Sequence, residues 1–266
     1  MSPLNPDLEA KYRLILANAA NELTVGESLP IDIERVCTKL QVEHGRNILD
    51  YKTARLAGKS RISLPSLLLP QSGYYSETER YLIAHEIGHF VLALLCSATP
   101  LGRSEYWQFE DLCNSFARQL LIPESTLNNL PNSITSPKEA LVLASNLASN
   151  AFVPWPTAAW RVAERNTRFA LLNVTARRDR LGQLVMKITA STLPRKQLQQ
   201  KVLDTQAGLG GMLRPLTQGK DSISFCQVEA ERAEIMIELP ALGNVMGAYG
   251  TRSSRGGIHV AFHLKQ

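Results

Sequence analysis

The sequence predicts an α+β chain, with a helix-rich part and a small sheet over residues 1–165 and a mixed α/β part over residues 166–266. Three observations carry this expectation. Apolar residues recur close to every 3.6 positions through most of the first part, the period of an amphipathic helix. Beyond residue 166 they fall instead into short runs rich in β-branched residues, the pattern of strands. The charge changes at the same place: residues 1–165 hold 15 Lys/Arg against 17 Asp/Glu, and residues 166–266 hold 14 against 7. This asymmetry supports a boundary near Asn166 and suits the second part to an acidic or polyanionic partner, while a solvated basic face has the same composition.

In order along the chain, residues 8–23 place Leu8, Tyr12, Leu14, Ile15, Ala19 and Leu23 close to a period of 3.6, an amphipathic helix. A short helix over 33–40 follows Asp32, then extended residues 41–44. Residues 54–64 contain two short apolar runs around Gly58-Lys59, a hairpin at the edge of a small sheet. Ser76 with Glu79 three residues later forms a capping box, so a helix is expected from there to about Cys96. Helices are expected over 105–122, stopped by Pro123, over 138–152 after Ser136-Pro137, and over 157–165. In the second part, runs at 169–174 and 184–189 read as strands flanking a connection at 177–182. Further strands are expected at 222–228, 234–239 and 258–264, with a helix near 196–205.

Apolar residues make up 44% and charged residues 20% of the chain, which excludes disorder as the default state. Asp7 and Glu9 interrupt any secretory h-region, and the longest apolar stretch, 81–96, is broken by His85, Glu86 and His89. It is also shorter than the ~20 apolar residues a membrane span needs. A cytoplasmic protein without membrane partners is therefore expected. Cys37, Cys96, Cys113 and Cys226 form no C-x-x-C pair, so neither a zinc ribbon nor a disulfide framework is supported.

The chemistry lies in His85-Glu86-Ile87-Gly88-His89, an H-E-x-x-H pentapeptide. On a helix the two imidazoles sit one turn apart and can reach one cation. Zinc (Zn2+) suits them, because a catalytic zinc takes three protein ligands and leaves its fourth position open. Glu86 then faces that open position as a general base. An ordinary helix carrying two core or capping histidines would show the same five residues. The discriminating feature is a third ligand, and Glu110 on the next expected helix follows His89 by 21 residues. Asn114, one turn beyond, can orient a ligating histidine. Glu105 and Asp111 compete for the ligand role. Glu105 is explained by the helix macrodipole alone, and Asp111 points about 100° away from Glu110.

The segments Arg80 to His89 (RYLIAHEIGH) and Glu110 to Pro123 (EDLCNSFARQLLIP) together resemble the ImmA/IrrE family of bacterial and phage metallopeptidases. The resemblance extends over roughly residues 28–165. It implies a zincin-like, gluzincin-type metallopeptidase domain that binds Zn2+ and cleaves, or otherwise inactivates, a helix-turn-helix repressor under stress or DNA damage. A metalloendopeptidase with a DNA-binding repressor as protein substrate is the first expectation. An antirepressor that sequesters its regulator without cutting it is the second. No N-terminal helix-turn-helix is visible here, so sequence-specific DNA binding is assigned to the partner. The second part is compatible with the GAF-like sensor region carried by some relatives, or with substrate binding.

Other signals are weaker. His259 and His263 lie in an alternating run, where a strand sets them ~13 Å apart, too far to chelate one ion. Gly208 to Gly211 and Arg255 to Gly257 lack the strand-turn-helix setting of a phosphate loop. Arg177, Arg178 and Arg180 cluster where a hairpin tip is expected. A nucleic-acid-binding sensor built on the basic second part is a third expectation, with steep salt dependence as its signature. Cys113 reads as a buried small residue, and His44 and Tyr106 as oxyanion stabilisers for which the sequence supplies no geometry.

Overall fold

The computed structural model describes residues 5–47, 55–56, 61–65, 75–96, 103–130, 134–178, 184–192, 237–239, 243–252 and 258–264. Helix α1 (Pro6–Thr24) starts where the Asn5 side chain accepts from the Asp7 N–H at 3.0 Å, and buries Leu16 and Ala20. Asp32 caps α2 (Ile33–Leu40) by accepting from the Glu34 and Arg35 amides, and Gln41 ends it in the left-handed region at φ 55°. Val42 is buried at the exit into β1 (Glu43–Asn47).

β1 pairs in parallel with β3 (Arg61–Pro65), which pairs antiparallel with β2 (Arg55–Leu56). This is the small sheet the sequence predicts. Its β2–β3 pair is the expected hairpin, while the Gly58-Lys59 turn lies outside the described residues. β2 and β3 lie against α3 (Glu77–Cys96), which packs along α4 (Arg103–Leu121). A short α5 (Glu124–Asn128) follows Pro123. Along α3, Ile83, Ala84, Ile87, Val91 and Leu92 are buried, as are Leu112, Cys113, Phe116, Ala117 and Leu120 along α4.

The expected capping box is present. The Ser76 N–H donates to Glu79 Oε2 at 2.8 Å, and the Glu79 N–H donates to Ser76 Oγ at 3.2 Å. Arg80 secures the same end, donating to the Ile31 carbonyl at 2.7 Å and the Phe152 carbonyl at 3.1 Å.

The chain divides into two compact units, residues 1–130 with 148–154, and residues 131–147 with 155–266. Helix α6 (Pro137–Ala151) spans the division, and α7 (Trp155–Arg165), read from the sequence as the end of the first part, clusters with the second unit. There α7 packs on β4 (Phe169–Arg178), an inner strand of an antiparallel sheet. Its order is β5 (Leu184–Ser191), β4, β8 (Ile258–Leu264), β7 (Gly243–Arg252), β6 (Ile237–Leu239). Phe169, Ala170, Leu171, Leu172 and Ala261 form its buried centre.

Two sequence expectations change here. Arg177 and Arg178 pair with Val185 and Leu184, so they extend β4 instead of forming the hairpin tip. The period-two alternation carries the ladder past a bulge at Asn173/Val174. Strand β7 was not expected at all, because its Gly-rich stretch has little strand propensity and is held by pairing to β8. The expected helix at 196–205 and strand at 222–228 lie outside the described residues, as does Arg180. No helix among the described residues is long and apolar enough to cross a membrane.

Candidate metal centre

The site is built by two antiparallel surfaces of α3 and α4 brought unusually close. Gly88 permits this. A Cβ added there would lie 3.1 Å from Cys113 Cα, 3.2 Å from Cys113 Cβ and 3.2 Å from Phe116 Cδ1. With hydrogen alone at this position, the α4 backbone approaches α3 between the two histidine turns. The α3 side of the seam carries Tyr81, His85 and His89 at intervals of four, and the α4 side carries Tyr106, Glu110 and Asn114 at the same interval.

The structure brings His85, His89 and Glu110 together, each offering one ligand atom within 4.8 Å of the others. His85 Nε2 lies 3.2 Å from Glu110 Oε2, His89 Nε2 lies 3.2 Å from Glu110 Oε1, and the two Nε2 atoms are 3.2 Å apart. A tetrahedral cation with ligand arms of about 2.0–2.1 Å sets its ligand atoms ~3.3 Å apart, so this donor set fits a zinc-sized ion. Burial holds both imidazoles below the ordinary histidine pKa, more than the Glu110 carboxylate raises them; at His89 the neighbouring His85 lowers it further. Neutral rings with a free lone pair are the form a cation needs.

The remaining residues surround this trio. Asn114 Oδ1 lies 3.0 Å from His85 Nδ1 and accepts from the Tyr81 hydroxyl at 2.8 Å. Burial pushes the Tyr81 hydroxyl up to about 12, so it keeps its proton. Glu86 is buried, and its charge helps to raise both the Cys113 thiol and the Tyr106 hydroxyl, so its carboxylate stands at the same seam. Tyr106 hydrogen-bonds Glu110 from the preceding turn while its ring remains half exposed.

Of the competing carboxylates, Asp111 is exposed and neither it nor Glu105 joins the cluster. Cys113 is fully buried behind the ligands, as expected. The side chain of His44 lies outside the described residues. His259 faces Asn173 across the β4–β8 ladder and stacks on Trp155 at 3.7 Å, within the second unit.

Sequence reasoning missed Tyr81 and Gly88. Tyr81 was legible as the residue one turn before His85 on the same face, and Gly88 as a lone glycine inside a helical pattern. Both would have needed knowledge of which helix packs opposite.

An α+β chain with a two-histidine, one-carboxylate site between neighbouring helices is therefore the class that fold and site define. No protein-family model matches the chain, and no curated protein matches it. Among solved structures it is similar to one described as a Mycobacterium tuberculosis transcriptional regulator, with 14% sequence identity and a TM-score of 0.48, over 96% of this chain and 80% of that one.

Proposed function

We propose that the chain is a zinc-dependent endopeptidase of the ImmA/IrrE type that cleaves a helix-turn-helix transcriptional repressor in the cytoplasm and so switches on gene expression. One observation carries this reading: Glu110, on a different helix from His85 and His89, presents its carboxylate with their ligand atoms at the spacing of a tetrahedral site, with Glu86 buried beside them. The resemblance of the two motif blocks to that family supplies the substrate class. An open antiparallel sheet with its first strand, β4, paired to its last, β8, supports a GAF-like sensor role for the second unit.

His85, His89 and Glu110 hold the ion, which when bound supplies a Lewis acid for the scissile carbonyl. The protein's own groups do the rest. Glu86 accepts a proton from the attacking water as its oxygen bonds to the carbonyl carbon, then delivers that proton to the leaving amine nitrogen as the C–N bond breaks. Burial of the Glu86 carboxylate keeps competing water away and strengthens its hydrogen bond to the nucleophile. Asn114 fixes the His85 ring and Tyr106 restrains Glu110.

The deciding experiment combines metal content with repressor cleavage for wild type, His85→Ala, Glu110→Ala and Glu86→Gln. About one zinc per chain is expected in wild type and Glu86→Gln, and none in the other two. Cleavage is expected only in wild type. Undiminished cleavage by Glu86→Gln would refute the assigned base. Persistent derepression in cells by that variant, without cleavage, would identify sequestration of the repressor instead.

A further inference from the structure

We infer that Tyr81 is a positioning residue of this site: its hydroxyl locks the Asn114 amide so that His85 is held protonated at Nδ1 and presents the Nε2 lone pair to the cation. The inference rests on the metallopeptidase reading above and adds a residue to it.

The argument starts from what an asparagine can do. Its amide end has an acceptor and a donor face, and a half-turn exchanges them. With oxygen toward His85, Asn114 accepts from Nδ1–H, and Nε2 keeps its lone pair. With nitrogen toward His85, the amide donates to Nδ1, which forces the ring proton onto Nε2 and removes the lone pair a metal requires. His85 alone does not settle this, because the Glu110 carboxylate 3.2 Å from Nε2 attracts a proton there whenever the cation is absent.

Tyr81 supplies a bias. Its hydroxyl contacts the same Oδ1 at 2.8 Å while His85 Nδ1 contacts it at 3.0 Å, so one oxygen accepts two donors. A carbonyl oxygen has two lone pairs and can do this, whereas a turned amide would need the hydroxyl as an acceptor, and the positive charge of Arg118 acting on this hydroxyl draws its lone pairs instead. Tyr81 and His85 are one turn apart on α3, and Asn114 reaches both from α4. Burial, in raising the hydroxyl's pKa, keeps its proton in place through the working range. A phenylalanine here would pack the same ring volume and leave the amide free to turn.

The test uses the full chain and zinc itself. Zinc affinity is measured by competition with a chromophoric chelator for wild type and Tyr81→Phe, with unfolding curves for both apo proteins. The expected result is a zinc affinity weakened on the order of 10-fold in Tyr81→Phe, as for other outer partners of metal-bound histidines. Wild-type affinity in a folded Tyr81→Phe overturns the assignment, while the metal site itself stands. Failure of the wild type to bind zinc overturns both.

A second readout separates orientation from packing. An aspartate at position 114 can only accept, so its orientation needs no hydroxyl. In an Asn114→Asp background, Tyr81→Phe should therefore no longer weaken zinc, and an equal loss in both backgrounds would overturn the role of Tyr81. In the zinc-bound wild type, proton NMR should place the Tyr81 hydroxyl proton against the Asn114 oxygen, and Asn114 amide protons facing that hydroxyl would overturn the role even if Tyr81→Phe does not fold.

Discussion

Replacing Gly88 by alanine tests the close helix approach on which the site depends. In an ordinary helix interior this change stabilises by about 1 kcal/mol, because glycine loses more backbone entropy on folding. Here the new methyl carbon meets the backbone Cα of Cys113 at 3.1 Å and Phe116 Cδ1 at 3.2 Å, inside the ~3.5–4.0 Å of a favourable carbon contact. Phe116 and Cys113 are both fully buried, so neither can swing aside. Overpacking of this kind costs about 1–3 kcal/mol. Subtracting the propensity gain leaves a net loss of about 1 kcal/mol, or roughly 2–4 °C in Tm for a chain of this size. Relief of the clash moves α4 outward by a few tenths of an ångström near Cys113, less than one turn from Glu110. Zinc affinity should therefore fall as well, on the order of 10-fold. Thermal unfolding of the apo protein and chelator competition measure the two effects. A Gly88→Ala protein with raised Tm and unchanged zinc affinity would show that α3 and α4 do not pack as described.

Two further perturbations probe the elements that hold each unit. Ser76→Ala removes one half of the capping box and should cost about 1 kcal/mol, with little change in zinc affinity, since the ligands begin two turns later; an unchanged Tm would refute the cap. Burial lowers the His259 pKa to about 4 from the ordinary 6.5, so the fold favours the neutral ring. Its stabilisation is complete above pH 6.5 and is lost as pH falls from there toward 4, by about 3 kcal/mol in all. His259→Phe retains an aromatic ring against Trp155 without a titrating group, so its loss of stability between pH 7 and pH 4.5 should be smaller than that of wild type. His85 and His89 contribute with the same sign in both proteins, which isolates His259 in the comparison. Equal pH slopes in denaturant titrations would show that His259 does not enter the unfolded state's excess proton uptake.

Much of the site is local and so is written in the chain. The spacing of His85 and His89 places them on one face of any helix, and Ser76 with Glu79 starts that helix at the right residue. Glu110 was preferred over Asp111 from helical phase alone, and the structure turns Glu110 to the histidines and leaves Asp111 exposed. Asn114 follows from the same phase. The resemblance to a metallopeptidase family joined these two segments before any fold was known.

What the sequence could not state is how pairs of elements meet. Arg177 and Arg178 looked like a turn because basic residues are common there, yet the β4–β5 ladder extends through them. Strand β7 lacks strand propensity and exists through pairing with β8. Helix α7 reads as the end of a helical series but joins the sheet that follows it. The roles of Gly88 and Tyr81 belong to the same class, since each depends on an atom about thirty residues away in the chain. Periodicity and capping are properties of one segment and its own hydrogen bonds, so composition and order determine them. Close approach, shared acceptors and ladder extension depend on two surfaces at once, so only tertiary packing decides them: α3 against α4 at the site, and strand against strand in the sheet.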